Sequence, residues 1–341
     1  LSEISGLNID PATVTVSGIS SGAFMAVQFH VSHSANVGGV GVIAGGPYRC
    51  SQGSNFWSWM DLTGLYIATS VCSNTNAFWF FQGPPDVDFS TTATIEAARS
   101  GHIDHPTNLK DDRVWLFSGG EDKEVPTLVM KTVAEYYETF VQKTNIALEE
   151  NPDANHAMIT ENFGNACDAF GPPYINDCDV DAAEQIFTHI YGPLEARAAA
   201  TELSAVLAFD QTKFFDDSDP SVSMNEVGHL YVPASCAEGA RCRLHVAFHG
   251  CQQYQEKIGD AFFANAGYNH WAESNDIVVL YPQTKAWNEG FFPVNENPKG
   301  CWDWWGYSGE DFYHKSGKQI RAVATMVNEL LDQQALKTPT R

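Results

Sequence analysis

The sequence predicts an α/β protein with a mainly parallel sheet and helices on both faces. Three observations lead there. Short β-branched or apolar runs recur at residues 13–17, 37–43, 113–118, 244–248 and 277–281. Stretches of helical spacing separate most of them. Strands that alternate with helices imply crossover connections, hence parallel pairing. No repeat, low-complexity segment or Pro/Ser-rich linker divides the 341 residues, so one domain over 1–341 is expected, with no separate binding module.

The elements follow in order. Residues 13–17 read as a strand and 22–34 as a helix, with Phe24, Met25, Val27, Gln28 and Val31 spread around it. The run at 37–43 ends in Ala44-Gly45-Gly46-Pro47, a buried strand and its turn. Residues 51–90 are irregular and aromatic, an insertion that either borders a site or forms a satellite core. A strand at 113–118, a helix at 127–143 and a strand near 145–149 come next, followed by a polar loop holding Asn155-His156. Residues 181–191 are helical, and the acidic stretch 210–226 reads as a surface connection. Strands at 230–233 and 244–248 flank a Cys-rich turn; a helix at 258–274, the strand at 277–281 and a helix at 315–334 complete the chain.

Composition narrows the function classes. Hydrophobic content of 44% suits a globular protein, and no apolar run reaches the length of a membrane span. With 19 basic and 42 acidic residues the net charge is −23. That surface repels phosphate backbones and anionic lipid, so neither nucleic acid nor a membrane is an expected partner. Eight cysteines without a Cys-x-x-Cys pair favour disulfides in an oxidising compartment over a metal site. Short separations suggest Cys167–Cys178 and Cys236–Cys242; Cys50–Cys72 and Cys251–Cys301 would complete the set. The expected location is therefore extracellular; no signal-peptide pattern stands at Leu1.

One stretch carries a chemical signature. The β-branched run Thr13-Val14-Thr15-Val16 leads into Gly18-Ile19-Ser20-Ser21-Gly22, and a helical pattern follows. A strand, a sharp turn with serine at its apex and a helix are the context of a nucleophile elbow. Ser20 is the candidate nucleophile. The N–H of Ser21, at the helix N-terminus, is a candidate oxyanion donor.

A serine nucleophile needs a base, and the base needs an orienting carboxylate. In parallel sheets such groups sit on loops beyond strand C-termini. Asp122 holds that position after Gly119-Gly120; by spacing, Glu121 and Glu124 compete with it. Of eleven histidines, His156 lies in the polar loop beyond the next strand. Ser20, Asp122 and His156 follow the order Ser…Asp…His of the α/β-hydrolases.

His249-Gly250-Cys251 closes the strand at 244–248. In α/β-hydrolases a His-Gly motif after a strand supplies the second oxyanion N–H, and it normally precedes the nucleophile. Here it follows the whole triad. The motif is either accidental or the mark of a circular permutation, in which the last helix leads back to the strand at 13–17.

Tyr231-Val232-Pro233, His249-Gly250-Cys251, Tyr281-Pro282-Gln283 and Cys301-Trp302-Asp303-Trp304 resemble the ordered motifs of the esterase family that includes extracellular poly(3-hydroxybutyrate) depolymerases. The order found here resembles its single-domain, circularly permuted fungal type over nearly the full length. That extends to Ala44-Gly45-Gly46-Pro47-Tyr48, Ile190-Tyr191-Gly192 and all eight cysteine positions. The resemblance implies a permuted α/β-hydrolase fold with Ser20 as nucleophile, His156 as base and Asp122 as its orienter. It places the oxyanion hole at the N–H groups of Ser21 and Cys251 and lines the substrate crevice with Trp302. It implies a secreted monomer that cleaves short-chain polyhydroxyalkanoates through an acyl-enzyme and uses no cofactor or metal. Solid polyester also demands adsorption, for which Trp287, Phe291, Phe292, Trp304 and Trp305 are candidates. The alternative is a feruloyl or acetyl-xylan esterase of the same fold.

Overall fold

The computed structural model describes residues 6–52, 67–73, 84–288 and 296–332. The chain opens with β1 (Asn8–Ile19), α1 (Ser21–Ser32), β2 (Gly39–Ile43), α2 (Val87–Arg99), β3 (Arg113–Gly119), α3 (Thr127–Glu138) and β4 (Ile146–Asn151). Three short strands, β5 (Met158–Thr160), β6 (Asn165–Ala166) and β7 (Ile175–Asp177), form a small separate sheet before α4 (Ala182–Tyr191). The second half adds β8 (Leu207–Asp210), β9 (Val227–Tyr231), β10 (Arg241–Phe248), α5 (Tyr268–Ser274), β11 (Ile277–Tyr281) and α6 (Lys318–Asp332).

The main sheet has eight strands in the order β4-β3-β2-β1-β10-β11-β9-β8. From β4 to β11 every pairing is parallel, and β9 and β8 join antiparallel at one edge. Central β1 carries Val14, Val16 and Ile19, all buried. Its alternate residues Thr15 and Ser17 face a buried polar network with His245, Tyr268 and Tyr191. Burial pulls the His245 pKa down to about 3, so the imidazole stays neutral and bonds Thr15 and Ser17, each at 2.7 Å.

This is a circularly permuted α/β-hydrolase fold. β1, the first strand of the chain, pairs directly with β10, more than 220 residues later. α6 packs against β1 and α1. Ile320, Val323, Met326, Val327 and Leu330 recur at helical spacing along α6, and all are buried. All four disulfides have the pairing read from the sequence.

Several expectations are corrected. The helix at 258–274 is three helices, 255–258, 261–265 and 268–274. Gly259 and Gly267 sit between them at φ +66° and +92°, which a continuous right-handed helix excludes. The stretch at 210–226 is more than a surface connection. Its Gln211, Val222, Ser223 and Met224 are buried, and the Gln211 amide donates to Asn225 and Gln283 carbonyls. Most of the aromatic stretch at 51–90 lies outside the described residues. Its described part includes the turn at 68–72, tied to Cys50 by the Cys50–Cys72 bridge.

The docking of α6 can be tested by truncation. Leu330 is fully buried in that interface. Leu330→Ala should cost about 2–5 kcal/mol of unfolding free energy in a denaturant titration. An unchanged midpoint would contradict the packing.

Candidate active site

Ser20 is held at φ 56° and ψ −125°, left-handed backbone that non-glycine residues avoid. Its N–H donates to Ile43 O at 3.0 Å on β2, and its carbonyl accepts from Ala23 and Phe24 at 2.8 and 3.0 Å. The flanking glycines make the turn sterically feasible. A Cβ on Gly18 would lie 2.2 Å from Gly22 O, and one on Gly22 would lie 2.3 Å from His249 O and 2.4 Å from Phe248 O. Neither contact could relax without moving backbone.

Asp122 and His156 meet beyond β3 and β4. His156 Nδ1 is 2.8 Å from Asp122 Oδ2. Oδ1 of Asp122 accepts from the Glu124 and Val125 N–H groups at 2.9 and 2.8 Å, which fixes the carboxylate. Gly119 and Gly120 let the two loops touch: Cβ atoms there would lie 2.3 Å from Ala154 O and 2.5 Å from Pro152 O. Glu121 is exposed and makes no side-chain bond to His156; Glu124 acts on it through charge alone. Burial by itself lowers the His156 pKa. The Asp122 charge, the Asp122 hydrogen bond and the Glu124 charge together outweigh burial and raise it above the ordinary 6.5. With Nδ1 engaged by Asp122, Nε2 is the nitrogen available to a nucleophile.

The expected second oxyanion donor, the Cys251 N–H, sits on a braced loop. His249 Nδ1 is 2.8 Å from Gly250 O, and its Nε2 accepts from the Thr284 N–H at 3.2 Å. Burial pulls its pKa to about 4, against the pull of the Gly250 carbonyl, so it remains a neutral strut. Gln253 Oε1 accepts from the Gly250 N–H at 2.7 Å, while its amide donates to Pro173 and Tyr174 carbonyls. That ties the oxyanion loop to the segment next to His156. Among the described residues the Cys251 N–H has no acceptor. The Ser21 N–H, first in α1, has none within its helix.

Ser20 and His156 open into one crevice of about 290 Å³. Its apolar walls include Phe24, Phe170, Tyr174, Trp304 and Trp305, with Cys251 and Cys301 between them. Phe24 stacks on Trp304 with ring centroids 4.0 Å apart. Trp302 does not line this crevice. It is fully buried, edge-on to Phe248 at 5.0 Å, and its backbone N–H donates to Ser21 Oγ at 3.2 Å. The next carboxylate, Asp303, gathers the N–H groups of Trp305, Gly306, Tyr307 and Ser308, turning Trp304 and Trp305 to the crevice instead.

Trp304 and Trp305, expected as adsorption residues, are mostly buried crevice wall; Trp287 is half-buried, and Phe291 and Phe292 lie outside the described residues. A second Ser–His pair, Ser17–His245, is sealed in the core. Among the described residues the group with metal-ligand proximity is Cys236, Cys242 and Asp276, whose two sulfurs form a disulfide.

No protein-family model matches the chain. It is 34% identical to the polyhydroxybutyrate depolymerase of Talaromyces funiculosus over 95% of this chain and 91% of that one. The chain belongs to the poly(3-hydroxybutyrate) depolymerase family. It is also 39% identical to the poly(3-hydroxybutyrate) depolymerase of Delftia acidovorans, spanning 60% of that longer protein. The crystal structure of PHB depolymerase from Penicillium funiculosum superposes with a TM-score of 0.83 at 32% identity, over 97% of this chain and 99% of that one. A serine-to-alanine variant of PHB depolymerase complexed with an R3HB trimer gives 0.82 over the same shares. In this depolymerase-family chain, sequence reasoning singled out His249 as part of the His-Gly motif and missed the bracing residues Gln253 and Thr284. Gln253 shows no local pattern, since its partners come from a loop about 80 residues away.

The electrostatics of His156 set a pH dependence. With His156 as the expected base, activity requires its neutral form and is expected to fall as pH drops through its raised pKa. The acid limb should therefore have its midpoint above 6.5. Glu124→Gln removes one raising charge and should move the limb to lower pH. Asp122→Asn should move it further and cut turnover by about four orders of magnitude. A limb centred below 6.5, or one unmoved in Glu124→Gln, would contradict this balance of charges.

Proposed function

We propose that this chain is a secreted serine esterase that hydrolyses poly(3-hydroxybutyrate) or a related short-chain polyhydroxyalkanoate through an acyl-enzyme. The supporting observation is the polarity of the crevice. Trp304 and Trp305 line it, and their indole Nε1 groups are buried without an acceptor. A polyester interior carries carbonyl and ether oxygens and no donor, so it complements a pocket whose unpaired groups are mostly donors. A xylan-borne ester brings many hydroxyl donors, whereas among the buried unpaired groups of the described lining residues Glu296 Oε1 is the single acceptor. The R3HB trimer bound in the solved depolymerase complex agrees with the polyester reading.

In the reaction Ser20 Oγ gives its proton to His156 Nε2 and attacks the ester carbonyl. The N–H groups of Ser21 and Cys251 hold the oxyanion, each worth about 3 kcal/mol. The alcohol leaves with the proton from His156. A water that His156 deprotonates then attacks the acyl-serine and releases the acid. Asp122 holds the imidazole tautomer throughout. Four disulfides fit an oxidising, extracellular setting. Residues 1–341 act in this reading as one catalytic unit, and its apolar surface contributes to adsorption. Phe170, 55% exposed at the crevice mouth, is the foremost such group, with Leu128 and Phe163 as other exposed apolar side chains.

Incubation with poly(3-hydroxybutyrate) film should release 3-hydroxybutyrate or its short oligomers. Feruloylated or acetylated xylan should give little product, and the reverse result would favour the carbohydrate-esterase alternative. Ser20→Ala should reduce p-nitrophenyl butyrate turnover by at least about four orders of magnitude. Ser21→Ala should keep most turnover, since its N–H remains. It should lose about 1 kcal/mol of stability with its bond to Trp302. An active Ser20→Ala enzyme would remove Ser20 from the mechanism.

A further inference from the structure

We propose that Glu296 is a specificity residue that accepts a hydrogen bond from the free hydroxyl end of a hydroxyalkanoate chain. This rests on the polyester reading above and adds the direction in which the chain lies.

Glu296 lines the same crevice as Ser20 and His156. Its side chain belongs to a residue only 8% exposed, and its Oε1 is buried with no hydrogen-bond partner. Lys299, three residues on, is an exposed crevice residue, yet it makes no ion pair with Glu296. The adjoining backbone is fixed. Asn297 exchanges N–H···O bonds with Trp287 at 2.8 and 2.9 Å, and its side chain bonds Ser223, Cys301 and Tyr307. These bonds to Asn297 hold the backbone next to Glu296 in place. A buried carboxylate oxygen left unpaired is costly, so this position calls for a donor from the ligand.

The substrate class offers one such donor. Internal ester units carry acceptors alone. The carboxylate end of a hydroxyalkanoate has no hydrogen to donate to Glu296 Oε1. The alcohol end carries an O–H, and a charge-assisted bond to it is among the stronger hydrogen bonds available. Glu296 thus orients short chains with the hydroxyl end toward itself and the carboxylate end away.

The test compares two trimers on one enzyme preparation. One is the 3-hydroxybutyrate trimer. The other has butyrate in place of its hydroxyl-terminal unit, the same skeleton without that hydroxyl. The ratio of their kcat/KM values does not depend on the fraction of enzyme folded, so a destabilised variant still reports. The unsubstituted enzyme should favour the hydroxyl trimer by roughly tenfold or more. Glu296→Leu should bring the ratio to about one, and Glu296→Gln, which keeps a neutral acceptor, should give an intermediate value. A ratio near one in the unsubstituted enzyme, or an undiminished ratio in Glu296→Leu, overturns the assignment while leaving the polyester reading intact. If neither trimer is cleaved although p-nitrophenyl butyrate is, the polyester reading itself fails, and this inference fails with it.

Discussion

Two backbone carbonyls pressed against Gly22 hold the chemistry of this molecule in place. The carbonyls of Phe248 and His249 lie where any Cβ at position 22 would be, so the first turn of α1 sits directly against the end of β10. This contact joins residues more than 220 positions apart. It sets the Ser21 N–H beside the Cys251 loop, and from there the constraint spreads. Cys251 is bridged to Cys301 on the crevice wall, and Trp302 returns to Ser21 Oγ. Elbow, oxyanion loop and crevice wall form a closed circuit of contacts, so a shift in any one is resisted by the other two.

Among the buried histidines His156, His245 and His249, charge environment rather than burial decides which one has a raised pKa. His245 and His249 are each surrounded by neutral partners, and burial drives their pKa values to about 3 and 4. Both serve as neutral hydrogen-bonding struts. His156 suffers the same burial penalty, but Asp122 and Glu124 reverse its sign. In the former pair the imidazole would hold a proton poorly; in His156 it can take one from serine and hold it while the oxyanion exists. The same acidity that tunes His156 also disfavours an anionic product near it, which fits an esterase that releases carboxylic acids.

Much of this was legible in the sequence because it depends on local rules. The strand, Gly-x-Ser-x-Gly and helix at 13–32 encode the elbow in one continuous stretch, and the glycine positions have direct steric causes. The cysteine pairing was readable because short spacings left few sensible partners. Helix 258–274 failed because its apolar spacing continues through Gly259 and Gly267, whose positive φ is invisible to periodicity. β8 was missed because it is a four-residue edge strand with three exposed residues. Trp302 failed for a different reason. Which of three nearby tryptophans faces the crevice is decided by where Asp303 and Ser21 pull the intervening backbone, and those partners act through space.

Permutation leaves the site intact because the site depends on strand ends and not on the order in which the chain visits them. Ser20 follows β1, Asp122 follows β3, His156 lies beyond β4, and Cys251 follows β10. All four strands are parallel, so their C-terminal ends open on the same edge of the sheet. Any connectivity that preserves the spatial order β4-β3-β2-β1-β10 delivers the same four residues to that edge. The pairing of β1 with β10 is then the seam on which the arrangement rests. Its register runs from Val14–Leu244 to Gly18–Phe248 without interruption, after an irregularity between Ile9 and Val14. Hydrogen bonding along that seam does the work that direct chain continuity does elsewhere in the sheet, and the Gly22 contact at its end couples it to catalysis.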